Sequence, residues 1–207
     1  MRRLLFRAAL AAAAIACLAC GGAGKDGSYG NNAPTPSLGC TAKETPVVVS
    51  GGVKPLEELQ LGDQVLVVST ISKNGDQLDL TWSAGPVVSS GGTSEGLNPA
   101  MVHLVYGDSA EIIVTTDHLF LLSNGQLIQA SKLVPGDLLA SPDGGSATVQ
   151  TVSLGSFEGG VHQIAASGLS YPGNMEGHLI NTHGLVSADF LLQIHYASHP
   201  GSQSVIE

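Results

Sequence analysis

From Thr45 onward the chain is written in short apolar runs of Val, Ile and Leu, cut by clusters of Gly, Pro, Asn, Asp and Ser. Runs of this kind, bounded by turn formers and without helical periodicity or caps, mark strands. The pattern predicts strands at Val47–Val49, Gln64–Thr70, Leu78–Trp82, Met101–Tyr106, Glu111–Thr115, Leu119–Leu122, Asp137–Ser141, Val149–Leu154, Val161–Ile164 and Leu179–Thr182. Reversals fall at Ser50-Gly51-Gly52, Lys73-Asn74-Gly75-Asp76, Gly107-Asp108, Ser123-Asn124-Gly125 and Pro142-Asp143-Gly144-Gly145, where Gly, Asn and Asp tolerate positive φ. Single helical turns are expected only at Leu56–Leu59 and Ala130–Leu133. The fold class is all-β, built from crossed hairpins.

The pattern also repeats. The stretch from Val47 to Leu66 runs parallel to that from Phe120 to Leu139 with one inserted residue. Each copy reads as strand, Ser-x-Gly turn, helical turn, then Leu-x-x-Gly-Asp entering another strand, with Leu59, Gly62 and Asp63 matching Leu133, Gly136 and Asp137. Recurrence in register implies two halves related by pseudo-symmetry. Asp63 and Asp137 read as turn caps.

Residues 1–19 have the layout of a secretory signal: a basic Met1-Arg2-Arg3, then an apolar, Ala-rich run ending in small residues and too short to span a bilayer well. Its end, Cys17-Leu18-Ala19-Cys20-Gly21, resembles a bacterial lipoprotein signal, in which the Cys after a small residue is acylated. That assigns lipidation to Cys20, with Cys17 as the weaker candidate, and makes the lipid bilayer a partner. Residues 20–39, rich in Gly, Asn, Ser and Pro, read as a flexible tether. Residues 40–192 form the domain and 193–207 a C-terminal tail. The expected location is therefore an exported, membrane-anchored one.

With Cys17 removed and Cys20 acylated, Cys40 is the single thiol left, so no intramolecular disulfide forms and Cys40 is a candidate reactive group. The alternative for a lone Cys is a small buried hydrophobe. All Arg residues leave with the leader, and five Lys then face all 17 acidic residues. Such a chain repels phosphate backbones, which excludes nucleic acid as a partner.

Four pieces together resemble the Hint superfamily of Hedgehog C-terminal regions, inteins and bacterial intein-like proteins: Cys40 with Thr45-x-Val47 behind it; Leu59-x-x-Gly62-Asp63; Thr115-x-x-His118 followed by Leu119-Phe120-Leu121 and Leu133-x-x-Gly136-Asp137; and His178-Leu179-Ile180-Asn181-Thr182-His183-Gly184-Leu185-Val186. The resemblance implies a horseshoe of crossed β-hairpins with both ends at a central site, and no cofactor or metal. It further implies an N-to-S acyl shift at the Gly39–Cys40 bond. Cys40 would be the nucleophile, His118 the proton donor to the departing Cys40 nitrogen, Thr115 its orienting partner, and His178 a further catalytic residue near the cleavage centre.

The chain departs from the family in two places. Inteins end in His-Asn followed by Cys, Ser or Thr, whereas Ala188-Asp189-Phe190 stands here, so Asp189 marks a vestigial C-terminal site and splicing is not expected. The Hedgehog pattern for sterol transfer needs an acidic residue upstream of Thr115-x-x-His118, and none of Ser89, Ser90 and Glu95 is a firm counterpart. The expected reaction is self-cleavage, with water or a small thiol accepting the Gly39 acyl group. A non-catalytic exported interaction domain, with its protein partner unknown, and a thiol protease acting on other chains remain as alternatives.

Three weaker signals compete. Gly92-Thr93-Ser94-Glu95-Gly96 fits the G-x-S-x-G nucleophile elbow but lies in polar sequence without a following helix. His195 and His199 have the spacing of a helical metal pair, yet Pro200-Gly201 after them reads as a fraying end with no third ligand. His103 is read as a strand residue facing outward.

Overall fold

The computed structural model describes residues 39–168 and 173–199. The signal, Cys20, the tether up to residue 38 and the tail from residue 200 lie outside the described residues.

Fourteen strands and one helix follow in order: β1 (Thr41–Ala42), β2 (Pro46–Val49), β3 (Gly52–Pro55), β4 (Gln64–Asn74), β5 (Gln77–Gly92), β6 (Leu97–Tyr106), β7 (Ala110–Thr115), β8 (Leu119–Leu121), β9 (Leu127–Gln129), β10 (Leu138–Ala140), β11 (Ser146–Glu158), β12 (Val161–Ala166), β13 (Leu179–Thr182), β14 (Leu185–Ala188) and α1 (Phe190–Ser198). All the pairings are antiparallel, in the order β10-β11-β6-β7-β1-β12-β5-β4-β2-β13-β14-β8-β9, with β3 hung on β2. A bridge between Leu122 and Leu139 brings the two ends of this path together. Each expected strand is present, and the two expected helical turns are 3-10 turns at Leu56–Glu58 and Ala130–Lys132.

Alternation sets the faces. On β6, Val102, Leu104 and Tyr106 point inward, and across from them on β7 stand Val114, Ile112 and Ala110. Their core also takes Phe120, Leu133, Leu139 and Leu185. On β4 the inward face changes: Val65 and Val67 enter one core with Leu59 and Ile180, while Val68 enters another with Leu78 and Leu179. A bulge between Val68 and Thr70 accompanies the change by shifting the register against β5.

The repeat is a real pseudo-symmetry, and it is longer than its sequence signature. Asp63 Oδ2 accepts from the Gln60 amide at 3.2 Å and Asp137 Oδ2 from the Val134 amide at 2.8 Å, so both aspartates cap their turns as expected. Gly62 donates to the Val87 carbonyl and Gly136 to that of Val149, at 2.9 Å each. Both glycines hold positive φ, +90° and +100°, which a side chain would resist. Upstream, the Leu56 amide donates to Thr45 O and the Ala130 amide to His118 O, while the Thr45 amide turns back to Ala42 O and the His118 amide to Thr115 O. The equivalence therefore reaches Thr45 and His118. Two identical turns exist, and only one carries an imidazole.

Strands β4, β5, β6 and β11 run past the bounds that the sequence pattern implied, and helix α1 was not expected. Strand β5 continues past Trp82 through Gly85-Pro86, which reads as a break, because Pro86 lies where the strand leaves β4 for β12 and its carbonyl, not a missing N–H, is what the Ser167 amide needs. A Cβ at Gly85 would strike Ser167 Oγ, so glycine permits the crossing. The chain from residue 193, expected to be a fraying tail, instead continues α1: Asp189 Oδ1 caps it by accepting from the Leu192 amide at 2.9 Å, and Leu192 is buried in the core beside Leu179 and Val186. His195 and His199 lie at its end with rings stacked 4.5 Å apart.

Candidate active site around Gly39 and Cys40

Strand β1 is only two residues long, and its place decides the site. Thr41 pairs with Val114 of β7 on one side and with His162 of β12 on the other, so the residue before it is fixed against the end of β7. There Cys40 and Thr115 exchange two bonds: the Thr115 amide donates to Cys40 O at 2.9 Å, and the Cys40 amide donates to Thr115 Oγ1 at 3.0 Å. The nitrogen of the Gly39–Cys40 peptide is thus held by a side-chain hydroxyl. Cys40 is 4% exposed and packs on Met101 and Val161, with its thiol directed to Gln163 Oε1 at 3.6 Å.

His118 follows Thr115 around one tight turn closed by the His118 amide bond to Thr115 O. Its ring is buried, meets Phe120 edge-on at 5.0 Å, and has the Gly39 backbone as its polar neighbour. Burial pushes its pKa down to about 4, opposed by the Gly39 backbone beside it. At neutral pH this is a neutral imidazole, facing the same pocket as Gly39, Thr41, Gln163 and Gln193.

Gly39 itself has φ +53°. Its carbonyl accepts from Gln193 Nε2 at 2.9 Å, and the same nitrogen donates to Ala188 O at 3.0 Å. The sequence pattern did not single out Gln193, because it fell in the expected tail. The legible signal was Asp189 as an N-cap ahead of Phe190-Leu191-Leu192, which starts a helix and puts Gln193 one turn in.

The structure thus gathers Cys40, Thr115 and His118 around Gly39 and treats His178 and Asp189 differently. These two are taken up by a contact with each other. His178 Nδ1 meets Asp189 Oδ2 at 3.0 Å, both side chains buried, and that oxygen also accepts from the Ala166 amide at 2.9 Å. The pair fastens the start of α1 to β12, while Ala188 and Phe190 on either side of Asp189 do face the pocket.

A second pair escaped notice in the sequence. Ser90 Oγ gives its only proton to Leu59 O at 2.7 Å, so its 2.9 Å contact with His162 Nε2 is one in which the imidazole donates. His162 is a structural tie between β12 and β5 at the pocket wall, with its pKa lowered by burial against the pull of Glu57.

The weaker signals resolve simply. Thr93-Ser94-Glu95-Gly96 joins β5 to β6 with no helix after it, so it is not a nucleophile elbow, and Glu95 pairs with Lys43 at 3.4 Å. His103 meets Glu111 across the strands at 3.0 Å. Among the described residues no three His, Cys, Asp or Glu side chains converge as a metal site would require.

No family model matches the chain, and no curated protein matches it. Solved structures do. The bacterial intein-like domain from Clostridium thermocellum superposes with a TM-score of 0.60 at 18% identity, over 74% of this chain and 99% of that one. The gp41-1 intein gives 0.52 at 18%, covering 72% and 98%, and a DnaB intein from Synechocystis sp. PCC 6803 gives 0.55 at 13%, covering 72% and 97%. On this likeness the chain has the Hint fold of inteins and bacterial intein-like domains.

Proposed function

We propose that the domain cleaves its own backbone between Gly39 and Cys40. The observation that carries this reading is the Cys40 amide bonded to Thr115 Oγ1 while the adjoining Gly39 backbone lies beside a buried, neutral His118. A lone buried Cys needs none of this.

The groups account for each proton. His118 takes the thiol proton as Cys40 Sγ bonds to the Gly39 carbonyl carbon. Collapse of the tetrahedral adduct breaks the C–N bond, and the Cys40 nitrogen takes the proton back from His118 as it leaves. An imidazolium whose pKa is held near 4 is a strong acid for that step. The products are a thioester from Gly39 to Sγ and a free amine on Cys40. Water, or a small thiol, then attacks the thioester and releases Sγ with its proton, so that one peptide bond is exchanged for one molecule of acceptor. A millionfold acceleration of the shift asks for about 8 kcal/mol, within reach of proton transfer and orientation acting together.

Splicing is not part of this reading. Asp189 holds Ala166, Leu192 and His178, and no Cys, Ser or Thr follows it to receive an acyl group. Nor is a protease acting on other chains, because Gly39 of the chain itself fills the position that a foreign substrate would need. With Cys20 acylated, cleavage would free residues 40–207 from a membrane anchor. No helix of the described residues is long and apolar enough to cross a membrane.

The test is the intact mass of the full chain incubated with hydroxylamine, which captures a thioester. A fragment ending at Gly39 and another beginning at Cys40 are expected, and neither from Cys40→Ala. A break that survives Cys40→Ala, or a wild-type chain that stays whole, would sink the reading.

A further inference from the structure

We propose that Gln193 of α1 is a catalytic residue that stabilises the oxyanion formed at Gly39, and that the same carboxamide confines the acyl side of the bond to glycine. This rests on the self-cleavage reading and adds to it a donor that no motif of the sequence marks.

The carboxamide orientation is fixed by its surroundings. Nε2 faces two carbonyl oxygens, Gly39 O at 2.9 Å and Ala188 O at 3.0 Å, and the reverse orientation would set oxygen against oxygen twice. Both N–H groups are therefore spent, one holding the side chain to β14 and one aimed at the reacting carbonyl. Gln193 is 4% exposed, and its backbone amide bonds Asp189 O at 3.1 Å within a helix capped by Asp189. The donor is preorganised before any chemistry begins.

When Sγ adds to the carbonyl carbon, charge collects on the one atom that Gln193 already touches. A bond to an anionic oxygen is stronger than one to a neutral carbonyl, so the interaction grows toward the transition state, which is the condition for a contact to accelerate a step. The distance lies in the range of about 2.7–3.1 Å that suits an oxyanion donor. Gln193 neither gains nor loses a proton.

The acyl-side restriction comes from the other end of the carboxamide. A Cβ on Gly39 would fall on the Oε1 and Cδ atoms of Gln193, and the positive φ of Gly39 disfavours any side chain there independently. Any larger residue must push the donor away from the carbonyl that it serves.

The experiment compares hydroxylamine-trapped cleavage of the full chain in wild type, Gln193→Ala and Gln193→Glu, with Cys40→Ala as the blank. Gln193→Ala is expected to cleave about 100-fold more slowly, the usual cost of losing one oxyanion donor. Gln193→Glu keeps the shape but donates only when protonated, so its rate should fall with rising pH, a limb absent from wild type and of opposite sign to any limb set by His118. If Gln193→Ala fails to fold, the Gln193→Glu limb decides, and its absence overturns the proposal. Wild-type rates in both variants, with Cys40→Ala inert, would overturn the role of Gln193 and leave self-cleavage standing. An inert wild type would instead remove both.

Discussion

Cys40 and Thr115 hold each other twice, amide to hydroxyl at 3.0 Å and amide to carbonyl at 2.9 Å, and only the first of these bonds involves a side chain. Thr115→Val keeps the volume and the second bond and removes the first, leaving the Cys40 N–H buried without a partner. That costs about 1–3 kcal/mol. In a Cys40→Ala background, urea denaturation should register the loss for Thr115→Val and not for Thr115→Ser. With Cys40 intact, cleavage should slow at least about tenfold in the valine variant and stay near wild type in the serine variant. Equal rates in all three would leave Thr115 a purely structural strand end.

His118 makes a prediction about pH in which the sign is opposite to that of a paired histidine. Its folded pKa, near 4, lies below the ordinary value of 6.5, so between those values the unfolded chain binds a proton that the folded one refuses. Stability is therefore whole above pH 6.5 and lost as pH falls toward 4, by about 3 kcal/mol at about 1.4 kcal/mol per unit. His118→Gln should flatten that slope when denaturation is followed at pH 7.5 and 4.5. The acid limb of trapped cleavage should likewise sit near pH 4. A limb at 6.5 would mean that the ring is solvated and that its proton is shared with water.

Those two residues were legible in the sequence because Thr115-x-x-His118, at a strand end just ahead of the repeat, matches a motif of the family that the chain resembles. The strands were legible as short apolar runs between turn formers, and β6 also alternates, with Val102, Leu104 and Tyr106 buried and His103 and Val105 less so. What escaped was whatever depends on a long-range partner. Pro86 looks like a strand breaker until β12 arrives to use its carbonyl, and Gln193 looks like tail until Gly39 is brought to it from 154 residues away. Helix α1 is nine residues long, too short for a periodic signal to separate it from a polar end. Asp189 was read as a remnant of splicing chemistry from its place in the chain alone, while its three hydrogen bonds show a residue holding the structure together.

Asp189 accordingly acquires a different expected phenotype. If the carboxylate were a vestige, Asp189→Ala would leave the break at Cys40 untouched. The structure predicts otherwise, because the change uncaps α1 and leaves the Ala166 amide, the Leu192 amide and His178 Nδ1 without this oxygen partner. A loss of about 2–4 kcal/mol is expected in urea denaturation. Cleavage should slow with it, since α1 is what brings the Gln193 carboxamide to Gly39 O. Unchanged rates with an intact melting transition would show that α1 docks without its cap.

The position of the break relative to Cys20 yields the last prediction, which concerns location. Cleavage at Gly39–Cys40 divides the chain between the residue proposed to carry the lipid and everything that the fold buries. The lysines of the released part are outnumbered by acidic residues, so attraction to anionic headgroups would not retain it. Wild-type and Cys40→Ala chains expressed with their own leader should therefore part company on fractionation. The variant should sediment with membranes, and the wild-type domain, beginning at Cys40, should be recovered in the exported soluble fraction. Cys20→Ala tests the anchor separately, because it should make the uncleavable Cys40→Ala chain soluble as well. If wild type and Cys40→Ala distribute alike while mass spectrometry still finds the break, cleavage serves some purpose other than release.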